Sequence, residues 1–559
     1  MESLDIDVKQ VNTFPLVKHY MDQLGIHQLF KDSIPSFVQA KTHPADGLCV
    51  LIVNLISADN PLYKVDEWVS DHLDGLHSEP EKGAKFNDDF LGGCLEKLFK
   101  ADRNSMLAKL SAQAIEIHDL KTDVLHNDTT SVTVHGEYGE GSSNAVQLKH
   151  GHNKDGKPDC KQLVFGLTVT EDGDVPIQSK IYDGNQTDDR THIDVWKELR
   201  KNLGKSDFIY VADCKLCSIE NMTTIASYGG FFITIIPSTR SEVKNFKERL
   251  LSENIPWENA FQKENSRKKG IFDVYKTYEG ESSAEGYRII WIHSSSKQEA
   301  DDSRRNAKIV KAENLLQTIN QKINTYYLKT EEQIRAAIAD AVKGAESFFS
   351  IKILEKHNSH LVKKGKGRPS DNSEYIEKEE ITYTLSWKRN IKEIEIISRQ
   401  DGVFPLITNT KLKASEVLAH YKNQPYLEKR FSTLKSVLEV APIYLKKEER
   451  IEAIMFLYFI ALMIVSLIER KIRLNMKKEK IDTLPILPEK RKTATPTWAA
   501  IAYFFRKIQI TVVKIKGRII QATLKGLNKV HETVLSLLEV PKVAYYSNTG
   551  VDWFAFFEK

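Results

Sequence analysis

Residues 122–237 constrain the fold more than any other part of the sequence. Three strand-like segments rich in β-branched residues come first, and a helix, a strand, a second helix and the apolar strand FFITIIP follow them. The short segment EDGD at 171–174 joins the second and third strands like a hairpin turn. Three strands in a meander, followed by alternating helices and strands, indicate an α/β fold built on a mixed sheet.

The sheet pattern stops at residue 238 and resumes near residue 400 with the strand-like segment DGVFPLITN. Between these points, helical and strand-like segments follow one another without regular alternation, which is typical of an α+β insertion. The flanking regions are mainly helical, and the C-terminal one is predicted to be helical from about 498 to 538. We therefore predict five parts: an N-terminal helical domain (1–118), the first part of the sheet domain (119–237), an insertion domain (238–399), the last part of the sheet domain (400–475) and a basic C-terminal helical region (476–559).

Composition excludes several classes of protein. Hydrophobic residues make up 41% and charged residues 28% of the 559 residues, as in ordinary globular chains, so global disorder is excluded. Five cysteines are too few for a disulfide-stapled secreted scaffold. The start of the sequence shows no signal-peptide pattern, and we expect a cytoplasmic protein. The uncharged run 453–468 is 16 residues long, short of the about 20 that span a bilayer, which favours a buried core helix over a membrane segment.

Positive charge is concentrated near the C-terminus. Residues 471–530 contain 15 Lys and Arg but only three acidic residues, whereas the whole chain has a net charge of +4. This asymmetry suggests contact with a polyanion, because Lys and Arg that neutralise phosphates supply most of the non-specific affinity for DNA. A solvated basic surface is the alternative interpretation.

Three carboxylates stand where structure alone would not place them. Asp128 lies inside a strand-like run, although Asp is depleted in strands. Asp213 ends the strand FIYVAD, at the sheet edge where α/β proteins bind ligands. Glu428 lies on a helix-like segment among basic and aromatic residues. Each has a simpler explanation: a turn or bulge residue for Asp128, a helix N-cap for Asp213 and a surface residue for Glu428.

Taken together, three carboxylates on two strands and a helix would suit two Mg²⁺ ions (or Mn²⁺). Mg²⁺ prefers oxygen ligands and keeps sites open for waters and substrate phosphates. Two such ions about 3.5–4 Å apart can activate a water or a 3′-OH and stabilise the leaving oxygen of a phosphodiester.

The segment around Glu428 reads Tyr421-x2-Gln424-x3-Glu428-x6-Lys435. It resembles the Tyr-Arg-Glu-Lys signature of DDE transposases from bacterial insertion sequences of the fourth-numbered superfamily, with Gln424 where Arg is often found. The segments HNDTT, VADCKL and DGVFPLITN resemble that group's first-Asp, second-Asp and pre-helix segments. The 215-residue gap between Asp213 and Glu428 matches its inserted domain, and DNPLYKVDEWV and NDDFLGGCLEKLF resemble the leading helical domain of one branch.

The resemblance implies a ribonuclease-H-like catalytic core in which Asp128, Asp213 and Glu428 are the catalytic metal ligands. Tyr421 and Lys435 would contact the DNA backbone near the cleaved end. The implied activity is Mg²⁺-dependent strand cleavage and 3′-OH strand transfer at the terminal inverted repeats of the element. The implied partners are these double-stranded ends and target DNA, joined in a synaptic complex by a homodimer. The N-terminal domain would serve DNA binding or assembly.

Two other functional readings stay open at this point. A relative that binds DNA but has lost catalysis would show no Mg²⁺-dependent nicking. A ribonuclease-H-like nuclease without transposition would cleave DNA but form no joined products.

Three further motifs carry weaker signals. Cys214 and Cys217 form a CxxC pair without a second ligand pair nearby, which favours two small apolar residues over a metal or redox site. Lys366 and Arg368, in the segment KGRP, resemble the glycine-flanked Arg that reaches into a narrow minor groove, and a flexible linker is the alternative. The Gly-rich segment 151–156 lacks a following helix and is predicted to be a hairpin loop.

Overall fold

A computed structural model describes residues 4–35, 42–57, 61–72, 86–138, 144–186, 191–265, 270–364, 374–440, 443–515 and 518–546. The chain forms two compact units. Unit 1 comprises residues 1–234, 408–411 and 419–559, and unit 2 comprises residues 235–407 and 412–418.

The N-terminal part of unit 1 is mainly helical. Asn87 and Asp102 cap two of its helices by accepting hydrogen bonds from backbone amides in the first turn. The helix at 44–57 is apolar on all sides and is correspondingly buried. Its elements are β1 (Leu4–Gln10), α1 (Phe14–Gln23), α2 (Ile26–Ser33), α3 (Pro44–Ser57), α4 (Val65–His72), α5 (Asp88–Lys100) and α6 (Arg103–His118).

The mixed sheet predicted from residues 122–237 is present in unit 1. Its elements are β2 (Val124–Thr133), β3 (Gln162–Thr170), β4 (Pro176–Tyr182), α7 (His192–Leu203), β5 (Ile209–Val211), α8 (Ile219–Ser227) and β6 (Phe231–Ile235). The strands lie in the order β4-β3-β2-β5-β6. Strand β3 is antiparallel to both β4 and β2, whereas β5 runs parallel to both β2 and β6.

Unit 2 combines an antiparallel sheet with a long hairpin. Its elements are α9 (Ser241–Ser252), β7 (Glu258–Glu264), β8 (Phe272–Glu279), β9 (Arg288–Ser294), α10 (Ser295–Lys322), α11 (Glu331–Ala341), β10 (Phe349–Lys363), β11 (Tyr375–Arg389), α12 (Ile391–Ser398) and β12 (Val403–Thr408). Strands β12, β9, β8 and β7 are neighbours in that order, and β10 pairs with β11 over 15 residues. Ile309, Leu316, Ile334 and Leu385 form part of a small core that packs the hairpin against α10 and α11.

The last part of the chain contains helices and a second hairpin. The elements are α13 (Ala414–Tyr421), α14 (Gln424–Ser436), α15 (Glu448–Lys478), α16 (Trp498–Phe505), β13 (Gln509–Ile515), β14 (Arg518–Lys525), α17 (Lys529–Leu537) and α18 (Val543–Tyr546). Among the described helices, α15 has the length and apolar composition that crossing a membrane requires, but 94% of its apolar window is buried inside the protein. This burial is that of a core helix.

The prediction of an all-helical C-terminal region is wrong for residues 509–525. These residues form β13 and β14, and β1 pairs antiparallel with β13 to complete a three-stranded sheet. The segment is rich in β-branched residues, including Thr511, Val512, Val513 and Ile519, which fit a pleated surface better than a helix.

Candidate active site

Asp128 projects from a regular part of β2. It lies opposite Leu167 of β3 in a register that is continuous from Leu125 to Thr133, so a bulge does not explain it. Its Oδ1 accepts a hydrogen bond of 2.7 Å from the amide of Thr129. The Nζ atom of Lys154 lies 3.9 Å from the same oxygen. Asp128 is therefore a strand carboxylate that faces a lysine.

Asp213 follows β5 and caps a short 3-10 turn at Cys214–Leu216. Its Oδ1 accepts a hydrogen bond of 3.0 Å from the amide of Lys215. Asp213 therefore does act as an N-cap, as the simpler explanation predicts. The Nε2 atom of His192 lies 3.8 Å from Oδ1, and this histidine side chain is only 2% exposed. Burial alone would raise the pKa of Asp213, but the contacts with His192 and the Lys215 amide outweigh it and lower the pKa. The carboxylate is therefore ionised at neutral pH.

Glu428 lies in α14 and is exposed. Among the described residues it makes no hydrogen bond or ion pair. An exposed carboxylate of this kind is available to an incoming cation, although exposure by itself also fits a surface residue.

The pKa values of two tyrosines, Tyr210 and Tyr421, are raised in part by the three carboxylates. Burial raises the pKa of Tyr210, and the negative charges of Asp213 and Asp128 raise it further. Burial also raises the pKa of Tyr421 to about 12, with added contributions from Asp213, Cys214 and Glu428. Asp213 thus acts on both phenols, Asp128 on that of Tyr210 and Glu428 on that of Tyr421.

In the described part of the chain, the three carboxylates do not form a preassembled metal-binding site. Within the described ranges, no group of three or more His, Cys, Asp or Glu side chains has an arrangement that could hold a metal ion. The donor set does suit Mg²⁺, because it consists of carboxylate oxygens. The assignment of Asp128, Asp213 and Glu428 as metal ligands therefore remains a prediction.

Gln424 stands where the resembling signature often has Arg, and it is engaged by β2. Its Oε1 lies 2.9 Å from Nδ1 of His126, and its Nε2 donates a hydrogen bond of 3.0 Å to the carbonyl of Asn127. Both partners are buried and directly precede Asp128. Gln424 thus joins the start of α14 to the strand that carries the first carboxylate.

The predicted DNA-contacting residues differ in their surroundings. Lys435 lies 2.5 Å from Oδ1 of Asp155, in the connection between β2 and β3. Tyr421 is half-buried at the end of α13. Lys366 and Arg368 lie outside the described residues. The DNA contacts expected of all four remain predictions.

Cys214 and Cys217 lie at the two ends of the short turn that Asp213 caps. Both thiols are free, Cys217 is buried, and burial raises the pKa of Cys214, which keeps that thiol protonated. No metal-binding group that includes them occurs among the residues that the structure describes.

Sequence reasoning missed three residues that touch this site: Lys154, His192 and His126. The Gly-rich segment 151–156, which the sequence predicts to be a hairpin loop, lies in the long connection between the antiparallel strands β2 and β3. Nothing in the sequence alone places its lysine beside Asp128. His126 precedes Asp128 by two residues, which is the one local signal that could have found it.

Comparison with known proteins gives four results. A cryo-EM structure of a piggyBac transposase synaptic complex with hairpin DNA is similar at 9% identity and a TM-score of 0.36, over 88% of this chain and 78% of that one. A comparison with curated proteins finds no match.

A family model described as a domain of unknown function (DUF4277) matches residues 6–112. The model described as the transposase DDE domain matches residues 119–464, more than half of the chain and all of the candidate site. The chain therefore belongs to the DDE-domain transposase family.

Proposed function

We propose that this transposase carries out cut-and-paste transposition of a bacterial insertion sequence by Mg²⁺-dependent strand cleavage and 3′-OH strand transfer. The observation that carries the proposal is the placement of the three carboxylates on β2 (Asp128), at the end of the adjacent parallel strand β5 (Asp213) and on α14 (Glu428), whose first residue is hydrogen-bonded to β2. A sheet with three antiparallel strands followed by two parallel ones supports a ribonuclease-H-like core.

In this proposal the three carboxylates hold the divalent ions. When bound, two Mg²⁺ ions would activate the attacking water or 3′-OH and stabilise the leaving oxygen. Among these ligands, Asp213 is kept ionised by its contacts with His192 and the amide of Lys215. Glu428 contributes an exposed carboxylate on a helix whose first residue, Gln424, is bonded to β2.

The DNA would be held by cations around these carboxylates. Lys435 lies seven residues after Glu428, about two turns along the same face of α14. Both side chains can therefore contact the same DNA end. The basic stretch 471–530 supplies further positive charge for element ends and target DNA. We place the enzyme in the cytoplasm at the nucleoid, acting as a homodimer when two ends are brought together.

The test uses the variants Asp128→Asn, Asp213→Asn and Glu428→Gln with duplexes that carry the DNA flanking the gene. Each change keeps the side-chain size and removes one ligand charge. We expect nicking in Mg²⁺ to fall by about three or more orders of magnitude while binding of the DNA ends persists. Ser432→Ala, an exposed change one turn further along α14, is the matched control and should leave nicking unchanged.

The outcomes separate the candidate functions. Wild-type activity in Glu428→Gln would contradict the carboxylate assignment. Carboxylate-dependent cleavage without joined element–target products would indicate a nuclease. Binding of ends without any Mg²⁺-dependent cleavage by the wild type would indicate a DNA-binding relative that has lost catalysis.

A further inference from the structure

The connection between β2 and β3 is fastened to β2 beside the candidate active site. We call residues 151–157 the site loop. The amide of Lys154 donates a hydrogen bond of 2.7 Å to Oγ of Ser131, and Nδ2 of Asn153 donates one of 3.2 Å to Oγ1 of Thr133. Asn153 also accepts a hydrogen bond of 2.8 Å from the amide of Asp155, which stabilises the turn. The backbone of the site loop is therefore held in place, and its charged side chains have defined positions.

The first charged residue of the pair, Lys154, faces the carboxylates. Its ammonium group donates a hydrogen bond of 2.6 Å to the carbonyl of Thr129 and lies 3.9 Å from Oδ1 of Asp128. Its charge also acts on Asp213. Among the described side chains, Lys154 is thus a cation that acts on two of the three carboxylates. It compensates negative charges that otherwise repel one another.

The second charged residue, Asp155, faces Lys435, the lysine that is predicted to contact DNA. Its Oδ1 lies 2.5 Å from Nζ of Lys435, and its Oδ2 accepts a hydrogen bond of 3.0 Å from Oγ1 of Thr133. The side chains of Lys435 and Asp155 are 23% and 21% exposed. Lys435 is therefore neutralised by a carboxylate that is itself held by the strand.

We propose that Lys154 and Asp155 are positioning residues that stand in for the metal and for the DNA phosphate in the free enzyme. This inference rests on the proposed function. Lys154 balances Asp128 until a divalent cation replaces its ammonium group, and Asp155 holds Lys435 until a phosphate replaces its carboxylate. Both ion pairs are partly exposed. The metal and the phosphate can therefore displace them at a small cost in free energy, because solvent-accessible ion pairs contribute little net stability.

Replacing Lys154 tests the metal side by a readout other than activity. Lys154→Gln removes the competing charge, so Mn²⁺ should bind the DNA-free protein about five- to tenfold more tightly, since like charges near 4 Å repel by that order. Free Mn²⁺ is measured by its electron paramagnetic resonance signal. Lys154→Arg keeps the charge and should match the wild type. Lys154→Met, which keeps the aliphatic stem, gives the same test if the Gln variant is unstable.

Replacing Asp155 tests the DNA side independently. Asp155→Asn releases Lys435, so the metal-free protein should bind a DNA end more tightly, and its salt dependence should steepen by about one phosphate contact. Asp155→Asn combined with Lys435→Gln should lose this gain. If the Asp155→Asn slope equals the wild-type slope, Asp155 does not compete with phosphate.

One further variant separates failure of this inference from failure of the proposed function. If Asp128→Asn abolishes Mn²⁺ binding but Lys154→Gln binds like the wild type, only the role of Lys154 is overturned. If Asp128→Asn binds Mn²⁺ as the wild type does, the ligand assignment fails, and the role of Lys154 fails with it.

Discussion

Arg430 and Glu469 form an ion pair that is almost wholly buried, with 2.6 Å between Nη1 and Oε2 and side-chain exposures of 4% and 5%. The remaining donors of Arg430 reach the carbonyls of Gly173 and Asp174 in the turn between β3 and β4. Glu469 also accepts a hydrogen bond of 2.7 Å from the amide of Trp498. Since Arg430 lies two residues after Glu428, this network fixes the helix that carries the third carboxylate.

Breaking this pair should be costly. Glu469→Gln leaves the Arg430 guanidinium buried without a counter-charge, and we expect the free energy of unfolding to fall by about 3–5 kcal/mol. Urea unfolding followed by circular dichroism measures this change. The control is Glu253→Ala, which removes an exposed i,i+4 pair with Arg249 and should cost no more than about 0.5 kcal/mol. Equal losses in the two variants would show that the buried pair is not the main anchor of α14.

Asp174 should make stability depend on pH. Burial raises its pKa to about 6 from an ordinary 3.8. The folded state therefore holds a proton that the unfolded chain has already released. The resulting stabilisation is full below about pH 4 and is lost as the pH rises through 6, amounting to about 3 kcal/mol at most.

Asp174→Asn removes this titration and keeps a residue type that tolerates the local backbone, where φ is 57°. Its stability relative to the wild type should grow between pH 4.5 and 7 and stay constant above pH 7. Asp194→Asn, at an exposed position of α7, is the matched control. A constant difference across this range would show that Asp174 titrates normally.

The sequence predicted the elements whose signals are local. The strands of residues 122–237 are present as predicted, and the uncharged run 453–468 lies inside the buried helix α15. The sequence does not predict strands β13 and β14, because a short apolar segment is compatible with both helical and strand periodicity. These residues form strands because they pair with β1, which is distant in sequence. The contacts of Lys154 were missed for a similar reason, because they form only when β2 and the site loop fold together.

The three candidate carboxylates also differ in whether a local sequence pattern identifies them. The positions of Asp128 and Asp213 on a strand and at a strand end followed from local patterns. Glu428 was found through the spacing of a resembling signature, because exposed helical glutamates have no distinguishing local pattern.

Gln424 offers a test of the signature itself. Gln424→Arg introduces a cation where the resembling signature often has one, so the salt dependence of DNA-end binding should steepen by about one phosphate contact. Arg has no acceptor to replace the contact of Oε1 with His126, so stability should fall by about 1–2 kcal/mol. Gln424→Ala is the control that removes the same hydrogen bond without adding charge. Identical salt slopes for the two variants would place position 424 away from the DNA.

Lys366 and Arg368 give a test of the basic loop. Replacing both by Gln should weaken DNA binding and reduce the salt slope by about one for each phosphate that the loop no longer neutralises. Lys378→Gln, an exposed change on β11, is the matched control. An unchanged slope in the double variant would assign the loop to the linker interpretation.

The pairing of β1 with β13 determines when the three-stranded sheet can form during synthesis. Leu4 is opposite Ile515, so β1 is synthesised about 500 residues before the strand with which it pairs. At about 5–20 residues per second, that partner leaves the ribosome about 25–100 s after the first strand. Glu428 likewise emerges long after Asp128 and Asp213, so a nascent chain bears an incomplete carboxylate set. The three-stranded sheet and the set of three carboxylates are therefore completed only after strands β2 to β6 have been made.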